Sequence, residues 1–286
     1  MSRRAVDETQ VAAFWESNAE AWTRQTRSGI DVFRDLLNTP AFLALMPPIG
    51  ALRGLDVGCG EGFNTRQLAG RGARMWAVDI APTFVRHANE AEKAHPLGID
   101  YRLGDGMRLP FATASFDFVT AFMSFMDMPE PARAILEASR VLRPGGFLQF
   151  SILHPCFMPP VRKVLRDRQG VPRAVEIAAY FQSTEGRVDD WWFSGLGVAE
   201  RQGEVPFRTP IFHRTLTSWI DMIVDAGLML EKLGEPTAHE GLEAGSTVLA
   251  ETRVAPISLH VRARKPPLAA AKDATAESGD QSAETL

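Results

Sequence analysis

Asp56-Val57-Gly58-Cys59-Gly60-Glu61-Gly62 sets one acid just ahead of three glycines at alternate positions. An apolar run (Ala51, Leu52, Leu55, Val57) leads into it, and the helix-prone segment Thr65 to Ala69 follows. Strand, glycine turn, helix is how an open α/β sheet builds a nucleotide site. Glycine takes backbone angles that other residues avoid, and Gly58, Gly60 and Gly62, with Cys59 between them, let a ligand approach the main chain. The spacing is G-x-G-x-G, not the dinucleotide pattern G-x-G-x-x-G. A pyrophosphate is held by a helix N-terminus, whereas a nucleoside cofactor with cationic groups wants a carboxylate close by, here Asp56. A second apolar run, Met75 to Val78, ends in Asp79, 21 residues beyond Gly58. An acid at that distance and at a strand end is placed to bind ribose hydroxyls, with Ile80 able to lie on the adenine face.

Candidate proton acceptors are fewer. His154 follows an apolar run in Ser151-Ile152-Leu153-His154-Pro155, at a strand's carboxyl end, and Pro155 biases it toward an extended backbone that could aim its ring into a pocket. His213 precedes a helical segment, and Tyr180 lies in an aromatic-rich stretch. A histidine can take a proton from a hydroxyl or ammonium nucleophile, although a solitary one is more often structural.

The elements that must position these groups follow from periodicity. Strands are expected at 52–57, 74–79, 99–103, 115–122 and 146–153, with helices at 62–70, 82–94 and 129–142. This alternation implies a doubly wound parallel sheet with helices on both faces. Upstream, Val11, Trp15 and Trp22 recur at helical spacing within a polar segment, 5–28. A second short helical pair follows, broken at Pro40 and stopped by Pro47-Pro48. Residues 155–213 abandon the alternation, with prolines and aromatics throughout and nearly balanced charge. So long a connection is expected to be a folded insertion over the strands' carboxyl ends. Thr217 is expected to cap a helix near 218–226 whose apolar face is Trp219, Ile220, Ile223 and Val224. A closing antiparallel strand pair is then expected at about 228–233 and 255–263. The Pro-, Ala- and Ser-rich stretch 265–286 has too little apolar surface to order itself.

Five segments in order, LDVGCGEG, AVDIAP, GDGMRLPF, FDFVTAF and VLRPGGFLQF, resemble the class I S-adenosylmethionine (SAM)-dependent methyltransferases, in particular the small-molecule type 11 group that includes quinone-biosynthesis enzymes. The resemblance spans about Leu52 to Ile152. It implies a seven-stranded Rossmann-like sheet, a helical N-terminal cap at 1–50, a core domain at 51–264 with a lid insertion at about 155–213, and SAM as cofactor. It also implies that Asp56 lies near the methionine ammonium and that Asp105 accepts the adenine amino hydrogen. The backbone at Gly106-Met107 would meet a ring nitrogen, and Ala121 and Phe122 would present a carbonyl to the methionine amine. The family usually has alanine where Gly106 stands. Asp117 is expected to hold structure.

Composition narrows the rest. The 286 residues are 45% hydrophobic and 23% charged, with a net charge of −4, ordinary for a soluble globular chain. No apolar run approaches the ~20 residues that cross a bilayer, and no signal-peptide core follows Met1, so a cytoplasmic protein with no membrane partner is expected. Two cysteines, Cys59 and Cys156, provide neither a disulfide framework nor a metal site. Without a basic run, nucleic acid is not the expected partner. The expected activity is methyl transfer to oxygen, nitrogen or carbon of a small, aromatic or partly apolar molecule. An RNA or protein methyltransferase, or a SAM-binding protein without transfer activity, stays open, as does the choice between monomer and homodimer.

Overall fold

The structure is a computed structural model that describes residues 6–197, 199–242 and 245–268. Helix α1 (Glu8–Arg27) begins at a capping box in which Asp7 and Gln10 satisfy each other's amides. A π-helical turn at Arg34–Asn38 runs straight into α2 (Thr39–Leu45). Pro40 does not break this segment as its position in sequence predicts. It lies in the first turn of α2, where a missing N–H costs nothing, and the helix stops at Met46, ahead of Pro47.

The sheet then builds in alternation: β1 (Arg53–Val57), α3 (Phe63–Gly70), β2 (Arg74–Asp79), α4 (Pro82–Ala94), β3 (Asp100–Leu103), β4 (Phe116–Phe122), α5 (Pro131–Val141) and β5 (Leu142–Leu153). Two hairpins follow, β6 (Val161–Arg166) with β7 (Pro172–Ala178) and β8 (Arg187–Trp191) with β9 (Phe207–Ile211). The chain closes with α6 (Leu216–Asp225), β10 (Met229–Gly234), α7 (Thr247–Glu251) and β11 (Ser258–Arg264). The seven-stranded order is β10-β11-β5-β4-β1-β2-β3. The strands from β1 to β5 pair in parallel, and β11 runs antiparallel to both β5 and β10. The chain starts at β1 and winds outward first one way and then the other, so the carboxyl ends of β1 and β4 flank the switch point, where such sheets bind ligands.

Leu55, Val57, Val119, Phe150 and Ile152 are fully buried, each contributing roughly 1.5–3 kcal/mol of apolar burial. Asp117 accepts the Arg53 amide at 2.8 Å and pairs with Arg143 at 2.7 Å, which makes it a brace between β4, β1 and the start of β5. Helix α6 starts two residues earlier than expected. Thr215, not Thr217, supplies the capping oxygen, to Ser218, and Val224 faces solvent while Trp219 and Ile223 are buried. Helix α7 carries no sequence signal strong enough to have been anticipated, being a single short turn capped by Ser246.

The long insertion is indeed folded, and α1 is joined to it. The Asn18 side chain donates to the Arg208 carbonyl (2.9 Å) and accepts the Arg208 amide (3.2 Å), standing in for a strand neighbour at β9. On its other side, Glu16 accepts both the amide and the hydroxyl of Thr83, closing the N-terminus of α4. Trp22 fills the space between, with ring centroids 4.8 Å from Phe193, 5.2 Å from Phe207, 5.6 Å from Trp191 and 6.5 Å from Phe84. Of the tail expected at 265–286, residues 269–286 lie outside the described residues.

Candidate active site

A cavity of about 630 Å³ opens at the switch point. Its floor is the glycine turn between β1 and α3. Gly58 has φ +72°, and a Cβ there would meet the Ser124 side chain at 2.4 Å; Ser124 in turn donates to the Val57 carbonyl at 2.6 Å. Gly60 also has positive φ, +55°, but a Cβ there would meet nothing within 4 Å. Gly58 is therefore required by the protein's own packing, while the bare backbone at Gly60 faces open space in a wall of the cavity.

Asp79 closes this turn from the end of β2. One oxygen accepts the Gly60 amide at 2.8 Å and the other accepts the Ala81 amide at 3.0 Å. Each oxygen keeps a lone pair, and the side chain lines the cavity. Burial pushes its carboxyl up to about 6, against the backbone amides of Ala81, Gly60 and Ile80 that favour the charged form. Hydroxyl donors from a ligand would further favour the ionised state. Ile80, beside it, also lines the cavity.

Asp105 follows β3 and folds its Oδ1 back onto the Met107 amide at 2.8 Å, leaving Oδ2 without a protein partner among the described residues. That bond corrects the expectation for Met107, whose amide is already committed. Only the Gly106 amide of the pair is left to meet a ring nitrogen. The absent side chain at Gly106 also has a local cause: a Cβ there would lie 2.7 Å from both Val57 Cγ1 and Met128 Cε.

Asp56 is almost wholly buried, and its two oxygens accept the hydroxyls of Thr65 (2.6 Å) and Thr120 (2.8 Å). It ties β1 to α3 and β4 and lines the cavity with what remains. Burial raises its pKa, the two hydroxyls opposing. The Cys59 thiol is likewise held up by burial, with the Asp79 charge adding to it, which disfavours its thiolate. Phe122 lines the cavity, its ring edge-on to Phe42 at 5.1 Å. Ala121 does not; it is fully buried, because alternate residues of a strand point to opposite faces.

The three expected bases separate. His154 follows β5 as expected, but its ring does not line the cavity. Its Nδ1 accepts the Cys156 amide (3.2 Å) and its Nε2 meets Glu235 Oε1 at 2.9 Å, while Phe157 packs against it at 4.8 Å. Both nitrogens serve the loop, so the aim inferred from Pro155 is corrected: the extended backbone turns the ring into the protein. Tyr180 is also outside the cavity, its hydroxyl accepting the Leu216 amide at 2.9 Å at the start of α6. His213 does line the cavity. Its Nε2 lies 2.7 Å from the Tyr180 carbonyl, an acceptor only, so Nε2 carries the hydrogen and Nδ1 keeps its lone pair. Tyr180 thus acts on the tautomer of His213 and not on a ligand.

Arg34, Glu61 and Asp127 are lining residues that the sequence reading had not assigned to the site, whereas Trp192 lies in the aromatic-rich insertion expected to govern substrate choice. Arg34 and Glu61 pair at 3.4 Å, the guanidinium lying 4.0 Å over the Phe63 ring. Asp127, in a 3-10 turn at Phe125–Asp127, and Trp192 also face the cavity. Glu61 stands within the glycine turn and was the most accessible to notice. The others depend on packing between segments far apart in the chain.

A parallel sheet wound in this order, with a glycine turn after the first strand and a ribose-type acid after the second, is the class I SAM-dependent methyltransferase fold. Residues 55–150 match the family model described as Methyltransferase domain. The chain is 25% identical to a SAM-dependent methyltransferase of Mesorhizobium loti, with a TM-score of 0.63 over 79% of this chain and 96% of that one. It is 36% identical to the ubiquinone biosynthesis O-methyltransferase of Xanthomonas oryzae pv. oryzae, over 37% of this chain and 45% of that protein. It is 34% identical to an O-methyltransferase (cnsE) of Penicillium expansum, over 52% and 53% respectively. The chain therefore spans about half the length of these curated relatives. The donor set fits the cofactor of this fold: an acid with two free lone pairs at the ribose position, a bare backbone at Gly60, and a free carboxylate oxygen beside a free amide at Asp105 and Gly106.

Proposed function

We propose that this protein transfers a methyl group from SAM to oxygen, nitrogen or carbon of a small, aromatic or partly apolar molecule. One observation carries the reading: a single cavity joins the nucleoside-type donor set to a wall of methionine and aromatic side chains on which His213 presents an unengaged nitrogen. The names of the relatives favour oxygen as the methyl acceptor. Among the described residues no helix is long and apolar enough to cross a membrane, and cytoplasmic residence is part of the same proposal.

Bound SAM supplies a methyl group on a sulfonium whose departure as a neutral thioether drives the transfer. The protein's own task is positioning, which can contribute roughly 7–11 kcal/mol in favourable cases. Asp79 would hold the ribose, Asp105 and the Gly106 amide the adenine edge, and Ile80 the adenine face. His213 accepts the acceptor's proton at Nδ1 while the Tyr180 carbonyl holds Nε2–H and stabilises the imidazolium that results. Helix α1 and the hairpin β8–β9, welded through Asn18 and Trp22, would lie over the cofactor and keep water out.

The test is calorimetric titration of the purified chain with S-adenosylhomocysteine, followed by methyl transfer from isotope-labelled SAM to a panel of phenols, amines and carboxylic acids. Absence of cofactor binding by folded protein would end the proposal. Binding without transfer to any panel member, RNA or protein would favour the cofactor-binding reading instead.

A further inference from the structure

Most polar groups on the wall opposite the glycine turn are spoken for. Trp191 Nε1 donates to Thr209 Oγ1 at 2.9 Å, Asp189 pairs with Arg187, Asp190 with Arg208, and the Arg214 guanidinium donates to the carbonyls of Phe212 and Pro129. Two groups are not. The Nε1 of Trp192 is a buried donor with no acceptor. The Asp127 carboxyl, between Met126 and Met128 on the 3-10 turn, has no hydrogen-bond or ion-pair partner among the described residues, and it lines the same cavity.

A buried donor or carboxyl left without a partner is destabilising, and native proteins keep few of them. Here both residues line one cavity, one carrying a hydrogen-bond donor and the other a carboxyl able to accept. Around them the wall is apolar and adaptable, with Met123, Met126 and Met158. We propose that Asp127 and Trp192 are further polar contacts, beside His213, for the methyl acceptor, a small apolar molecule bearing an O–H or N–H donor that meets Asp127 and an oxygen that meets the Trp192 indole N–H. This rests on the methyl-transfer reading and specifies the substrate class of that site. In the empty protein, burial alone holds the Asp127 carboxyl well above the usual carboxylate range, with no basic group paired to lower it. A neutral hydroxyl would leave that proton in place, whereas a protonated amine would displace it to the buffer.

The whole chain, saturated with S-adenosylhomocysteine, is titrated with 3,4-dihydroxybenzoate, tyramine and a wider set of phenols and aryl amines. Each is paired with an analogue in which the donor is replaced by methyl. Members of the set should bind, and Asp127→Leu and Trp192→Phe should each weaken them about tenfold or more. Affinity for S-adenosylhomocysteine should change by less than about twofold, and the donor-free analogues should not distinguish Asp127→Leu from wild type. Repeating the titration in buffers of different ionisation enthalpy separates amine from hydroxyl by proton release. Asp127→Leu should also raise the Tm of the unliganded protein, because it removes an unpartnered buried carboxyl; a structural acid would lower it. Equal binding by wild type, Asp127→Leu and Asp127→Asn overturns the proposal, as does failure of every member of the set to bind. If S-adenosylhomocysteine itself fails to bind, the methyltransferase reading has failed instead.

Discussion

Asp79 Oδ2 accepts the Gly60 amide hydrogen at 2.8 Å, so the acid that ends β2 also sets the turn that ends β1. Ligand contact and loop geometry are properties of one carboxylate. Asp79→Ala should therefore weaken S-adenosylhomocysteine by roughly 1–3 kcal/mol, the range for a lost hydrogen bond to a charged group, and should also lower Tm. Unchanged calorimetric affinity together with a large Tm loss would leave Asp79 a purely structural residue.

The same carboxylate predicts a pH dependence. Asp79 is held up at about 6 in the folded protein against an ordinary 3.8, so the fold binds this proton more tightly than the unfolded chain does. Its contribution to stability is complete below 3.8 and is lost as pH rises through about 6. Ribose hydroxyls are held best by the ionised carboxylate, so the Tm increment from S-adenosylhomocysteine should grow across that window. In Asp79→Ala the increment should lose this component. An increment flat with pH in wild type would contradict the ribose assignment.

Gly106→Ala restores the residue common in the resembling family, yet here it should be harmful. The added methyl would lie 2.7 Å from Val57 Cγ1 in the core. Overpacking of this kind costs roughly 1–3 kcal/mol, read by chemical denaturation. A larger effect on cofactor affinity than on stability would show that the neighbouring Gly106 amide has also moved. Full stability would mean that Val57 yields.

Thr120→Val removes one of the two hydroxyls that hold Asp56. A buried carboxylate losing a donor should cost about 1–3 kcal/mol, greater at neutral pH than in mild acid. The sign follows from the raised pKa of Asp56, because protonation relieves the unpaired charge. Denaturation curves of the variant at two pH values measure it, and a pH-independent loss would point to packing alone.

His213→Gln should lower kcat by about 10²–10⁴, the usual contribution of general-base catalysis, with SAM affinity nearly unchanged. His154→Ala should leave kcat at the wild-type level, since its ring is outside the cavity and bonded to Glu235 and the Cys156 amide. If His154→Ala is the variant that loses turnover, the two histidines have been assigned the wrong way round.

The sequence alone determined the sheet and the cofactor wall. Strand–helix periodicity, the alternate glycines and an acid at each strand end are local patterns, and a parallel sheet wound outward from β1 leaves them little freedom in space. Gly58, Gly60, Asp79, Ile80 and Asp105 could be named because each follows its strand within a few residues. Only the tertiary structure decided what faces them. His154 and Phe157 turned inward together because both nitrogens of the ring found loop partners, and no spacing rule encodes that. Asp127 and Trp192 are 65 positions apart, and they line one cavity. Their lack of partners becomes visible only when every neighbouring group is in place, since an unmet hydrogen bond is a property of surroundings and not of residue type.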